Sequence, residues 1–316
     1  MERCSKPIVV VLVGPTGVGK SEIAVALAQV WQCPILNADS RQIYRDLPIG
    51  TAAPTKEQLA KVKHYFVGTK DLTEEYNAGD FERDAVAVLE KECACDRSVA
   101  AILSGGSMLY VDAVCKGLDD IPSVPAAVRT EVQEGYRVGG LSWLQEQVQQ
   151  LDPVYWEQVD QLNPQRLMHC IEVSKVLGRP FSTCRTDCRK ERPWQVVKIG
   201  LTRPRAELYD RINRRVEVMV EEGLEEEARR AMDGVQCTKH DGAVPNSLMT
   251  VGYREWREYE RDKAIEMIKQ NSRHYAKRQM TWWNRDKQIH WFEYETYNTT
   301  IAAICDYVDG LQKSND

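Results

Sequence analysis

One glycine-rich stretch near the start of this 316-residue chain restricts its fold more than any other feature. It lies between the apolar run Ile8–Val13 and a helical pattern over Lys20–Trp31, and it fits G-x-x-x-x-G-K-[ST]. In that pattern the glycines let backbone N–H groups surround an anion at the positive end of a helix. The predicted phosphate-binding loop consists of Gly14, Pro15, Thr16, Gly17, Val18, Gly19, Lys20 and Ser21. Lys20 supplies a charge to phosphate oxygens, and the Ser21 hydroxyl can hold Mg²⁺.

Apolar runs alternate with amphipathic segments in the first third of the chain. The patterns predict strands at Ile8–Val13, Pro34–Ala38, His64–Gly68 and Ser98–Leu103, and helices at Lys20–Trp31, Lys56–Lys63 and Gly79–Cys95. Strands that alternate with helices indicate a parallel sheet that is covered on both faces.

The pattern changes after a turn-rich connector at Asp119–Pro125. Helical segments then follow one another until a strand returns at Gln195–Leu201, and charged helices continue to Trp283 before an edge strand at Ile289–Tyr294. The sequence therefore predicts an α/β fold with a P-loop NTPase-like parallel sheet. This core spans residues 1–120 and 195–316, and residues 121–194 form an inserted all-helical domain.

The net charge of −5 does not by itself indicate a nucleic-acid-binding protein, but the charge is unevenly distributed. Residues 221–227 are acidic, whereas residues 261–290 carry eight Lys or Arg against three Asp or Glu, a local excess of +5. Three tryptophans lie beside this basic segment, namely Trp282, Trp283 and Trp291. The basic segment is a candidate nucleic-acid surface, and a solvated helix face is the alternative.

Cellular location and metal content follow from the apolar and cysteine patterns. Ile8–Val13 is far shorter than the roughly 20 apolar residues of a membrane span, and no secretory signal is recognisable. We therefore expect ten reduced cysteines, a cytoplasmic location and no membrane partner. The pairs Cys184-x-x-x-Cys188 and Cys237-x-x-His240 do not form a four-ligand zinc set.

A single carboxylate, Asp39, follows the second predicted strand at the sheet edge where ligands bind in open α/β folds. It could bind a metal, take a proton from a nucleophile or cap the next turn. The strand Ser98–Leu103 is followed by Ser104-Gly-Gly-Ser107 instead of the metal-binding carboxylate that kinases and nucleotide hydrolases usually place there.

Six ordered motifs resemble those of the tRNA dimethylallyltransferases, the bacterial-type tRNA isopentenyl transferases, over nearly the whole chain. They are the loop Gly14–Ser21; Asp39-Ser-Arg-Gln42 with Ile49-Gly-Thr51; Gly105-Gly-Ser-Met-Leu-Tyr110; Pro164-Gln-Arg-Leu-Met-His169; Val251-Gly-Tyr-Arg254; and Tyr275-Ala-Lys-Arg-Gln-Met-Thr-Trp282. The chain departs from the family pattern at Ser107 (usually Thr), His169 (usually Arg) and Asn284 (commonly Arg).

The resemblance implies transfer of a dimethylallyl group from dimethylallyl diphosphate to N6 of adenosine 37 in the tRNA anticodon loop. Asp39 would then be the general base, and Lys20, the loop amides, Mg²⁺ on Ser21 and Arg273 would stabilise the departing diphosphate. Thr16 would lie near the scissile bond. Since the amine is inaccessible in a stacked base, the adenosine would be flipped out of the loop.

The resemblance also implies the RNA contacts. These are Asp39, Ser40, Arg41, Gln42, Ser107, Arg129, Gln165, Arg166, Leu167, Met168, His169, Gly252, Tyr253, Arg254, Lys277 and Arg278. The implied partners are the tRNA anticodon stem-loop and dimethylallyl diphosphate, with Mg²⁺ as cofactor, no obligate protein partner and a monomer as the default.

Two other classes of function stay open on the sequence. The loop could serve a small-molecule or nucleotide kinase, or a protein that binds RNA without catalysis. Free adenosine or AMP is a variant acceptor for the prenyl group, but the helical insertion and the basic C-terminal segment favour a macromolecule.

Overall fold

The computed structural model describes residues 6–186, 189–236 and 244–313. Its six strands are β1 (Ile8–Val13), β2 (Ile35–Asn37), β3 (His64–Tyr65), β4 (Val99–Ser104), β5 (Gln195–Thr202) and β6 (His290–Glu293). They form one parallel sheet in the order β3-β2-β4-β1-β5-β6.

Twelve α-helices are present in the described ranges. They are α1 (Lys20–Val30), α2 (Lys56–Lys61), α3 (Ala78–Cys93), α4 (Met108–Lys116), α5 (Ala126–Leu151), α6 (Pro153–Trp156), α7 (Pro164–Leu177), α8 (Arg205–Glu221), α9 (Leu224–Gln236), α10 (Glu255–Glu258), α11 (Arg261–Trp283) and α12 (Tyr297–Lys313). Short 3-10 helices occupy Phe181–Cys184 and Asn246–Leu248.

The central strand β1 explains why the sheet is covered on both faces. All six of its residues are buried, and successive side chains of a strand point to opposite faces. Val9, Val11 and Val13 therefore join one apolar core with Phe81, while the alternate residues join a second core with Leu27. The predicted P-loop NTPase-like sheet is confirmed.

The edges of the sheet differ in how closely they follow the sequence pattern. The predicted last strand is confirmed as β6, which pairs in parallel with β5. The predicted strand His64–Gly68 is shorter, because Phe66 has a φ of 65° and extended pairing cannot continue through it.

The chain divides into two compact units, one formed by Met1–Lys116 with Glu191–Asp316 and the other by Gly117–Lys190. The smaller unit contains no strand in its described residues. Its core includes Val132, Leu144 and Leu167. Buried Asp152 accepts hydrogen bonds from the backbone N–H groups of Tyr155 and Ser182, at 3.0 and 2.6 Å, and thereby holds the turn between α5 and α6.

None of the helices in the part of the chain that the structure describes is long and apolar enough to cross a membrane.

Candidate active site

Three loops meet at the carboxyl edge of the sheet, because β2, β4 and β1 are neighbours and run in the same direction. Gly14–Ser21 follows β1, Asp39 follows β2, and Gly105–Ser107 follows β4. Ligands of open parallel sheets bind at this edge. The topology therefore brings together segments that lie far apart in the sequence.

The backbone of the loop Gly14–Ser21 depends on its glycines. Gly14, Gly17 and Gly19 have φ angles of 145°, 81° and 109°, which side-chain-bearing residues rarely adopt. A Cβ on Gly14 would also lie 2.5 Å from the Leu201 carbonyl oxygen. The glycines thus let the loop curve back towards the start of α1, as the phosphate-loop prediction requires.

Lys20 lies within this loop, and its Nζ donates to the carbonyl oxygens of Gly14 and Pro15, both at 2.8 Å. Burial, together with the neighbouring charge of Arg215, lowers the pKa of Lys20 to about 7, although Asp39 opposes the shift. An anion placed in the loop would favour the charged amine and raise this pKa again.

Helix α8 supplies arginines to the same loop. Arg211 Nε donates to the Gly17 carbonyl at 2.9 Å, and an Arg215 nitrogen lies 3.4 Å from the Thr16 hydroxyl. Burial lowers the pKa of Arg215, and the nearby Asp39 carboxylate opposes that shift. Sequence reasoning missed Arg215. Its signal was the Arg211/Arg215 pair, spaced four residues apart on the helix that follows β5.

Arg273, which the resemblance assigns to the departing diphosphate, is hydrogen-bonded to a residue of α8. Its guanidinium donates to Asn213 Oδ1 at 2.6 Å, and Arg273 does not line either cavity beside the loop. Arg215, and not Arg273, lines both cavities beside the loop, and a contact between Arg273 and the diphosphate stays a prediction. The helical pattern placed Arg273 on α11 but could not show which face of α11 turns towards the loop.

Asp39 has one of the roles that the sequence left open, that of a turn cap, and its second oxygen takes no part in the cap. Its Oδ1 accepts backbone hydrogen bonds from Arg41 and Gln42, at 2.9 and 3.3 Å, and so caps the turn. Its Oδ2 lies towards Gly106, 3.3 Å from the position that a Cβ there would occupy. Oδ1 thus holds the turn at residues 39–42, whereas Oδ2 lies on the Gly106 side of the carboxylate.

Two cavities adjoin this edge of the sheet. The loop cavity, of about 510 Å³, contains Lys20 and Ser21, and the helix cavity, of about 360 Å³, lies between α8 and α11. Both are lined by Thr16, Asp39, Thr51, Arg215 and Tyr275. Because Asp39 and Lys20 face the same cavity, an anion and a second molecule can meet beside the carboxylate.

The helix cavity is lined by both apolar and polar side chains. Its apolar lining includes Ile212, Val216, Met219 and Ile268. Of the residues predicted to bind RNA, it contains Asp39, Ser40, Arg41, Ser107, Gly252, Arg254 and Arg278, whereas Gln42 lines the loop cavity and Lys277 is exposed on α11. A cavity with apolar side chains and a few polar groups suits a flat heterocycle and a short hydrocarbon chain.

Three predicted RNA contacts have buried side chains. Tyr253 is fully buried, and its hydroxyl donates to Glu227 Oε1 at 2.6 Å. Leu167 and Met168 lie in the core of the helical unit. The side chains at these three positions face the protein interior, and the RNA contacts assigned to them stay predictions. Motif matching does not distinguish a residue on the core face of an element from one on its exposed face.

The remaining predicted RNA contacts lie in the helical unit. Gln165, Arg166 and His169 are exposed on α7, and the His169 ring lies 5.4 Å from the Phe181 ring. The surrounding protein, and then the charge of Arg129, lower the pKa of His169. Arg129 of α5 therefore lies close enough to His169 of α7 for its charge to disfavour the protonated ring.

Ser21 is the one loop residue that the sequence assigns to a metal, and it is exposed at the loop cavity. The described residues contain no group of three His, Cys, Asp or Glu that could hold an ion. Mg²⁺ commonly takes few protein ligands and completes its shell with phosphate oxygens and water, so the Ser21 hydroxyl fits such a site. Cys188, Cys237 and His240 of the rejected zinc pairs lie outside the described residues.

The sheet, its phosphate-type loop and the adjoining cavity define an α/β protein built to hold an anionic substrate against a second molecule. Residues 42–286 match the sequence profile of the family described as IPP transferase, and the chain belongs to this family.

Relatives in sequence and structure agree with this assignment. The chain is 48% identical to tRNA dimethylallyltransferase 2 of Parabacteroides distasonis, over 90% of this chain and 93% of that protein. It is similar to the crystal structure of the full-length tRNA isopentenylpyrophosphate transferase of Bacillus halodurans, with a TM-score of 0.69, 31% identity and 98% of each chain covered. It shares its fold with a eukaryotic dimethylallyltransferase crystallised acting on tRNA, with a TM-score of 0.80 at 20% identity, over 98% of this chain and 80% of that one.

Proposed function

We propose that this enzyme transfers a dimethylallyl group from dimethylallyl diphosphate to N6 of adenosine 37 in the tRNA anticodon loop. The products are N6-isopentenyladenosine and diphosphate. The observation that carries the proposal is the wall shared by the two cavities, in which Thr16, Asp39 and Arg215 lie between the phosphate loop and the apolar helix cavity.

The loop cavity takes the donor's diphosphate. The loop amides and Lys20 bind its oxygens, and Arg215 lies beside Thr16 at the end nearest the helix cavity. As the allylic C–O bond breaks, its electron pair goes to the diphosphate. Fixed cations and N–H groups stabilise that developing charge more than the ground state, and this difference accelerates the reaction.

The helix cavity takes the adenine. Its exocyclic amine is a weak nucleophile because the nitrogen lone pair is delocalised into the ring. Asp39 accepts a hydrogen bond from this amine and removes one proton as the new C–N bond forms. The apolar side chains of the cavity hold the five-carbon chain and exclude water, which would otherwise compete for the allylic carbon.

Mg²⁺ is the proposed cofactor, and the Ser21 hydroxyl would hold it at the loop cavity. When bound, it neutralises charge on the leaving group. Ser21 is the protein's contribution to this site, and its exposure at the loop cavity leaves room for the rest of the coordination shell.

The acceptor is a macromolecule and not a free nucleotide. Lys277 is exposed and is followed in the chain by Arg278, which lines the helix cavity. Arg166 is exposed on the helical unit. These cations bind the phosphates of the anticodon stem-loop, with an affinity that falls as salt rises. The enzyme acts in the cytoplasm as a monomer and needs no other protein.

The proposal is tested by incubating the protein with labelled dimethylallyl diphosphate and an anticodon stem-loop RNA. One RNA contains adenosine 37, and a matched RNA contains guanosine at that position. We expect label only on the first RNA. ATP turnover without labelled RNA would instead indicate a kinase. RNA binding with neither activity would indicate a binding protein, and label on AMP in preference to RNA would indicate the nucleotide variant.

A further inference from the structure

A buried glutamine on α11 connects the two loops on which the proposed substrates would rest. Gln279 is fully buried. Its Oε1 accepts a hydrogen bond from the Thr16 backbone N–H at 2.8 Å, and its Nε2 donates to the Gly106 carbonyl at 2.9 Å. A primary amide has both an acceptor and a donor, so one side chain can hold both loops at once.

The Thr16 end of this connection belongs to the phosphate loop. Thr16 lines both cavities, and its hydroxyl faces Arg215. Backbone N–H groups of such loops commonly turn towards the bound anion. Here the Thr16 N–H is bonded to Gln279, so the position of the loop is set partly by α11.

The Gly106 end belongs to the loop beside Asp39. A Cβ on Gly106 would lie 2.9 Å from Gln279 Nε2 and 3.3 Å from Asp39 Oδ2, so these groups are in close contact around a residue that must be small. The next residue, Ser107, accepts a hydrogen bond from the Ser40 N–H at 2.8 Å. Movement of the Gly106 loop would therefore displace the turn that carries Asp39.

Helix α11 also contacts this loop through a second side chain. The Tyr275 hydroxyl donates to the same Gly106 carbonyl at 2.8 Å, and Tyr275 lines both cavities. A buried glutamine with satisfied hydrogen bonds can serve packing alone. The arrangement differs from simple packing because both partners of Gln279 are backbone groups of loops at the cavities: Thr16 lines both cavities, and Gly106 lines the loop cavity next to Ser107 of the helix cavity.

We propose that Gln279 is a positioning residue that couples the occupancy of the loop cavity to that of the helix cavity. A bound diphosphate restricts the motion of Thr16. Through the two hydrogen bonds of Gln279, this restriction extends to Gly106, Ser107 and the Asp39 turn. Diphosphate binding thereby raises the affinity for the RNA, and by thermodynamic reciprocity the RNA raises the affinity for diphosphate. The inference rests on the proposed function.

The test measures the dissociation constant of an anticodon stem-loop RNA with and without saturating inorganic diphosphate. For the unmodified protein we expect diphosphate to tighten RNA binding about fivefold or more. Gln279→Met keeps the length of the side chain but removes both hydrogen bonds, and we expect the ratio to fall to within about twofold of one. Thr281→Ala, an exposed change on the same helix, should keep the original ratio.

Equal RNA affinity with and without diphosphate in the unmodified protein, or full coupling in Gln279→Met, would overturn the inference. If Gln279→Met does not fold, as judged by thermal melting, Gln279→Glu decides in the same way, because a carboxylate loses the donor to Gly106. Failure of the proposed function looks different, since the unmodified protein would then bind no stem-loop RNA or transfer no label.

Discussion

Replacement of Asp39 by asparagine separates the chemical role of this side chain from its structural role. Asparagine keeps the Oδ1 that accepts hydrogen bonds from the Arg41 and Gln42 N–H groups, at 2.9 and 3.3 Å. It replaces the Oδ2 near Gly106 with an NH₂ group, which cannot accept a proton. The turn should therefore persist while the general base is lost.

The size of the effect follows from the two things that Asp39 does. Loss of a general base lowers kcat about 10²–10⁴-fold, or about 2.7–5.4 kcal/mol at 1.36 kcal/mol per tenfold. Asp39 is also the negative charge beside Lys20 and Arg215. Its removal reduces repulsion of an anionic ligand but also lowers the pKa of Lys20 further, and because these effects oppose each other, the affinity for dimethylallyl diphosphate should change far less than kcat.

The assay measures initial rates of label transfer at saturating donor and stem-loop RNA, together with the dissociation constant of each substrate. Asp46→Asn makes the same chemical change at an exposed residue nearby and serves as the matched control. We expect Asp46→Asn to retain the original kcat.

A kcat for Asp39→Asn within tenfold of the original, with unchanged thermal stability, would refute the general-base role. A large loss of affinity for both substrates would point instead to collapse of the turn, and Asp39 would then act mainly as its cap.

Three further changes test other parts of the site. Arg215→Gln should lower kcat about 10²-fold, as loss of one transition-state hydrogen-bond donor does, and Arg273→Gln should lower kcat by a smaller factor. Equal decreases in kcat for the two variants in rate assays would contradict the role given to Arg215. Because the pKa of Lys20 is about 7 and a bound anion raises it, donor binding takes up a proton, so the affinity for diphosphate should weaken as pH rises above about 7.5. Calorimetry in buffers of different ionisation enthalpy should detect this proton, and Lys20→Met should abolish it; a pH-independent affinity in the original protein would contradict the assignment. Tyr253→Phe removes a buried donor to Glu227 and should lower the free energy of unfolding by about 1.5–3 kcal/mol in denaturant titrations, and a change under about 0.5 kcal/mol would show that the hydroxyl is not needed there.

Residues of the site could be predicted from the sequence wherever the local sequence determines the local backbone conformation. The loop Gly14–Ser21 was found from its glycines, since their φ angles of 81–145° allow few other residues. Asp39 was found because it follows a short buried strand, and parallel topology brings the ends of such strands to one edge. Both inferences require only short-range pattern and a general rule of sheet architecture.

The sequence left open the points that depend on the rotation of a helix or the depth of a side chain. Arg273 and Tyr253 lie in motifs that resemble a family's functional segments, yet one is bonded to Asn213 and the other to buried Glu227. Arg215 and Gln279 gave no decisive signal, because their partners Thr16 and Gly106 are 173 to 263 positions away and only the folded sheet edge brings them near.

The sequence by itself determined the parallel α/β core, the anion-binding loop and the carboxylate beside it, because each depends on backbone conformation and on hydrophobic periodicity along a short segment. Only the tertiary structure decided which arginine of α8 or α11 accompanies Lys20, which predicted contacts are buried, and how Gln279 joins two loops. These outcomes depend on how helices pack against the sheet, and packing is set by many weak contacts between residues distant in sequence.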